Sequence, residues 1–157
     1  MRLTVRTNLA ARALMTCAVN PDRILRTQDI AERCNASVNH MFQVVNLLQE
    51  YGFLETIRGR SGGVRLALAP ERISMGAMFR QLEGTVPFTE CFEGGAGGCP
   101  LQGNCRLQSY LQRALEAFYH ELDMVTLADL VRGNCGLETL LDLYPQGRGG
   151  CEKVATV

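Results

Sequence analysis

The stretch SVNHMFQVVNLLQEYGFLETIRGRSGGVRLAL, residues 37–68, changes its apolar period half-way along and so carries two kinds of element in series. In its first part Met41, Val44, Val45 and Leu48 recur at helical spacing, which predicts an amphipathic helix. Ser37 is a good N-cap for that helix, and Gly52 stands where such a helix ends. Two short β-type runs, FLETI and VRLAL, then flank the basic turn RGRSGG, a pattern that predicts a hairpin. Val64, Leu66 and Leu68 alternate with Arg65 and Ala67, so one face of the second strand is expected to be buried. Pro70 ends it.

Upstream, Leu9, Leu14 and Met15 among small alanines predict a helix over roughly residues 6–19, stopped at Asn20-Pro21. Thr27 is expected to cap a short helix, TQDIAERC, whose Asp29 and Glu32 suit the helix dipole in its early turns. The order helix, helix, tight turn, helix, hairpin spells a winged helix-turn-helix over residues 6–69, within a DNA-binding region at 1–72. The expected fold class is mainly α with a small β-hairpin wing. Asn39 and Gln43 can pair with adenine edges, and His40 can donate to guanine. Thr27, Ser37, Asn39, His40, Gln43, Arg58, Arg60, Ser61, Gly62 and Arg65 are the candidate DNA contacts, with Arg2 and Arg6 as further phosphate partners. The bland alternative is a solvated hairpin with ordinary surface arginines.

Beyond Pro70, Ser74 is expected to cap SMGAMFRQLEG, with Met75, Met78, Phe79 and Leu82 inward. Cys91, Cys99 and Cys105 follow in a glycine-laden loop, spaced C-x7-C-x5-C, so residues 73–106 form a connecting helix and a cysteine segment. Glycine loses much entropy on ordering, so such a loop needs something to hold it. Three thiolates suit an iron–sulfur cluster, whereas zinc ribbons usually show C-x2-C pairs, absent from this chain. Zinc and redox-active thiols remain the alternatives. Cys17, Cys34 and Cys135 lie in or beside predicted helices and read as small buried hydrophobes.

A long helix follows, with Leu107, Leu111, Ala114, Leu115, Phe118 and Leu122 in one stripe. That stripe is too apolar to face water, which predicts a twofold dimer with these helices crossing. Thr126 is expected to cap TLADLVRG, ended by Gly133. Residues 107–144 thus hold a dimerisation helix and C-terminal helices, and the unpatterned tail at 145–157 is expected to be disordered.

The chain has 157 residues, 46% of them hydrophobic, enough for one core. Residues 1–72 carry ten arginines against six acids, and residues 73–157 six basic residues against ten acids. The basic first half suggests that one end meets a polyanion. No long apolar run predicts a membrane span, and the opening lacks a secretion signal. Seven cysteines without an export signal are expected to be reduced thiols in a cytoplasm. No Ser–His–acid set, phosphate-cradling loop or paired catalytic carboxylates stand out, so an enzyme is not expected.

These residues resemble the Rrf-type iron–sulfur winged-helix transcription regulators over residues 1 to about 143. The likeness rests on the MRLT opening, NHMFQVVNLLQEYGFLETIRGRSGGVRLA, the ECF…CPLQGNCRL trio and ALEAFYHELDMVTLADLV. It implies a homodimer on a double-stranded DNA operator of two half-sites, with a cluster bound by Cys91, Cys99 and Cys105. The implied cofactor is 4Fe–4S, with 2Fe–2S second. Asn39-His40-Met41 and TLADLV look most like the nitric-oxide-sensing repressor branch, while the cysteine spacing is shared with the iron-responsive branch. A third branch carries a histidine where this chain has Gln108, which argues against it. Where relatives of the nitric-oxide branch often carry an acid as fourth cluster ligand, this chain has Asn8, which makes the amide a candidate for that place; a water, Glu90 and Glu93 are others.

Overall fold

Helix α1 (Val5–Val19) starts where the Thr4 side chain accepts the Thr7 N–H and stops at Asn20. Its small and apolar residues Leu9, Ala10, Ala13, Leu14 and Cys17 are all buried. They let other elements approach from several sides, each large buried side chain contributing roughly 1.5–3 kcal/mol. The computed structural model describes residues 3–21, 23–84, 87–89, 92, 99–101 and 103–144. Cys91, Arg2, Glu90, Glu93, the glycines at 94–98 and the tail at 145–157 lie outside them.

Helices α2 (Thr27–Arg33) and α3 (Val38–Glu50) pack on α1 and on each other. Ser37 caps α3 by accepting the His40 N–H, and Met41, Val44, Val45 and Leu48 are its buried residues, as the periodicity predicts. Strands β1 (Leu54–Ile57) and β2 (Gly63–Leu66) pair antiparallel, Leu54 opposite Leu66 and Ile57 opposite Gly63. Leu25 bridges to Val64 through two backbone hydrogen bonds of 2.9 and 2.8 Å, fastening the wing to the α1–α2 link.

A 3-10 turn (Pro70–Arg72) leads into α4 (Met75–Glu83), capped by Ser74. Helix α5 (Arg106–Asp123) lies against α4, and α6 (Leu127–Val131) and α7 (Cys135–Leu141) return to α1. The α4–α5 contact is close because residue 76 is glycine: a Cβ there would meet the backbone and carboxylate of Asp123. Arg80 then donates to both Asp123 oxygens at 2.6 and 2.7 Å and lies over the Tyr119 ring.

Three local expectations are corrected. Thr27 is the first residue of α2 and the cap is Arg26, whose side chain makes no capping bond. Leu68 lies beyond β2 and is exposed, because pairing ends at Leu66. Cys135 is half-exposed at the start of α7, while Cys17 and Cys34 are buried as expected.

Asn20, apparent in sequence only as a helix stop, is a buried polar clamp. Its Nδ2 donates to the carbonyls of Thr16 and Leu141 at 2.8 and 2.9 Å, and its Oδ1 accepts from the Leu143 N–H. Asn20→Ala leaves those buried groups unpaired and is expected to lower stability by about 1–3 kcal/mol in urea unfolding. A change within about 0.5 kcal/mol, the range of ordinary surface substitutions, would show that the clamp contributes nothing.

Candidate nucleic-acid interface and cysteine site

Helix α3 turns its Ser37-capped N-terminal half outward, and Ser37, Asn39, His40 and Gln43 are all exposed there. Asn46, which the sequence reading passed over, is exposed as well. It lies three residues after Gln43 and seven after Asn39, so the same period that gave the buried face assigns it to the outer one. At the wing tip Arg58, Gly59, Arg60 and Ser61 are exposed and Gly62 is half-exposed. Gly59 takes φ +117°, a value open to glycine, and its carbonyl accepts the Gly62 N–H at 3.0 Å. Two guanidiniums are thereby held on a tight turn at one end of the hairpin.

Other candidates are placed differently. Thr27 is buried, which leaves the α2 N-terminus to present backbone N–H groups rather than this hydroxyl. Arg65 is paired with Glu55 across the hairpin, its Nε 2.5 Å from the carboxylate, so its charge is already met. Arg6 turns inward and donates to the Leu82 carbonyl at 3.2 Å. Arg12, missed in sequence, donates to the Cys34 carbonyl at 3.1 Å and braces the turn before α3. Asn8, Arg12, Ser37 and His40 line one concavity of about 440 Å³ between the start of α1 and the start of α3.

Cys99 and Cys105 are free thiols and half-exposed. Cys105 is the N-cap of α5, yet its side chain makes no capping hydrogen bond, which leaves the sulfur at the positive end of a helix. Two accessible thiols, one of them at that helix end, fit the donor type of a thiolate-bound iron–sulfur centre. Among the described residues no group of three or more His, Cys, Asp or Glu side chains gathers as a metal site; the third thiol, Cys91, is outside them. Burial, with Cys34 nearby, pushes the Cys17 thiol up to about 12, and burial also raises that of Cys34. These two are packing residues.

Glu83, at the end of α4 just before the cysteine segment, was not singled out by sequence. Its Oε1 accepts from both the N–H and the hydroxyl of Thr4, each at 2.9 Å. Burial works to raise its pKa, but hydrogen bonds from Thr7 and Thr4, with Arg6 nearby, hold the carboxyl below the usual range. The clasp is therefore complete above the ordinary carboxylate pKa and weakens as pH falls through the lowered one.

A winged helix-turn-helix with a paired α4–α5 extension defines a transcriptional regulator, not an enzyme. Residues 3–133 match Rrf2, described as an iron-dependent transcriptional regulator. The chain belongs to the Rrf2 family, whose members bind DNA. It is 39% identical over 146 residues to the "HTH-type transcriptional regulator NsrR" of Halalkalibacterium halodurans, covering 92% of this chain and 100% of that one. Identity to the "HTH-type transcriptional repressor NsrR" of Streptomyces coelicolor is 41%, covering 87% and 92%. Among solved structures, T. potens IscR superposes with a TM-score of 0.67 over 95% of this chain and 94% of that one, at 21% identity. No helix among the described residues is long and apolar enough to cross a membrane.

Iodoacetamide is expected to label Cys99 and Cys105 of the cluster-free folded chain, the two half-exposed thiols. Cys17 and Cys34 should stay unlabelled until denaturant is added, as read by peptide mass spectrometry. Equal labelling of all four would reject this division of the thiols.

Proposed function

We propose that the chain is a homodimeric transcriptional repressor whose hold on a two-half-site operator is governed by an iron–sulfur cluster and released by nitric oxide. The single observation behind it is where the cysteine segment is tied. It leaves α4 beside Glu83, which clasps the start of α1, and it re-enters at Cys105, the first cap of α5. Cys91, Cys99 and Cys105 would hold the cluster, most simply 4Fe–4S, with Asn8 of the partner protomer as candidate fourth ligand. Three thiolates would leave one iron to a weaker, non-sulfur ligand such as that amide, and the group would supply reaction with nitric oxide at the iron so held. The similarity to regulators called NsrR supports nitric oxide as the signal.

The chain's own residues do the rest. Cys105 fixes the N-terminus of α5, and Arg80 ties α5 to α4 through Asp123 and Glu116. Glu83 carries a displacement of α4 to Thr4 and so to α1, and Arg12 carries it to the turn before α3. Half-site fit responds steeply to such a displacement, since each mismatched base pair costs about 1–3 kcal/mol. Helix α5 supports the dimer: Tyr119 is its one buried residue, while Leu107 stays 62% exposed and Leu111, Leu115, Phe118 and Leu122 half-covered within a single chain. The family's description as iron-dependent favours a second reading, in which iron supply sets occupancy of the same site.

With anaerobically prepared, cluster-loaded protein, nitric oxide is expected to weaken operator binding roughly 5- to 150-fold, the usual span of allosteric coupling. Glu83→Ala should keep DNA binding but shrink that ratio. Release by an iron chelator with no response to nitric oxide would replace the gas reading with the iron reading. For the wing, Arg58→Ala with Arg60→Ala should lower the salt dependence of binding by about one unit of slope per arginine. An unchanged slope would remove the wing from the interface.

A further inference from the structure

On the outer side of α3 one residue is out of keeping with its neighbours. Phe42 is 50% exposed and Val38, one turn earlier, 36%. At about 100° per residue, Asn39, Phe42, Gln43 and Asn46 share roughly 100° of arc, opposite the buried Met41, Val44, Val45 and Leu48. Val38 and Phe42 therefore make an apolar strip along one shoulder of a row of three amides. No other aromatic ring stacks on Phe42 among the described residues. A phenyl ring left in water between amides gains only when a partner covers it, and that partner must also satisfy the amides.

An A·T base pair does both. In the major groove adenine offers N7 and N6 to a bidentate Asn or Gln, while thymine presents its C5 methyl group to an apolar side chain. An apolar protein patch would cover the ring but would desolvate Asn39, Gln43 and Asn46 unless it also carried matching donors and acceptors. We propose that Phe42, supported by Val38, is a specificity determinant that reads thymine methyl groups beside amide-read adenines, so that α3 selects A·T steps by two contacts together. The proposal rests on α3 being the helix that enters the groove.

The test uses full-length, anaerobically purified protein and a duplex selected by it from a randomised library. Each thymine in each half-site is replaced in turn by deoxyuridine, which removes the methyl group and leaves base pairing intact. Wild type is expected to lose about fourfold in affinity at one or two thymines per half-site, the factor that corresponds to one buried methyl-sized group. Phe42→Ala should bind the parent duplex more weakly and no longer distinguish thymine from deoxyuridine at those positions. Phe42→Gln, chosen in case the smaller side chain disturbs the helix, should show the same loss of discrimination. A methyl effect that survives in both variants, or none in wild type, overturns the proposal while leaving α3 in the groove. Selection of no duplex at all overturns the groove assignment and the proposal with it.

Discussion

The carboxylate of Glu83 closes on Thr4 across 79 residues of chain, and the hold of α4 on the start of α1 depends on that contact. It joins the last turn before the cysteine segment to the first turn of α1. Helix α1 in turn packs against α2, α3, α4, α6, α7 and β2. The reading head and the base of the cysteine segment are therefore parts of one core. Close-packed interiors transmit displacement rather than absorb it.

The second tie is Arg80. Its fork on Asp123, its approach to Glu116 and its place over the Tyr119 ring hold α4 and α5 together, with Gly76 making room for the close approach. The groups are partly exposed, so the ion pairs themselves contribute little to stability. Their use is positional. They fix which face of α5 meets α4 and leave Leu107 and Tyr110 exposed and Leu111 half-covered on the rest of the helix.

Much of this was legible in the sequence. The period of Met41, Val44, Val45 and Leu48, the Ser37, Ser74 and Thr126 caps and the RGRSGG turn each specify a local geometry that neighbours along the chain enforce, and each appears where expected. Family and class were legible for the same reason, since they rest on runs of local motif. The failures share a cause too. Thr27 looks like a cap by residue type, but it is buried as the first residue of α2 and the cap falls at Arg26. Arg6 and Arg65 look like free cations until Leu82 and Glu55 are brought beside them.

Sequence by itself determined most of the elements, the Ser37, Ser74 and Thr126 caps and the candidate reading surface, because helical and strand periods and turn chemistry act over a few residues. Only the tertiary structure decided which charges are already met, that Asn20 clamps α7, and that Glu83 holds α1 beside the cysteine segment. Those contacts join residues dozens of positions apart, and their energies come from burial and pairing that exist only once the core has closed.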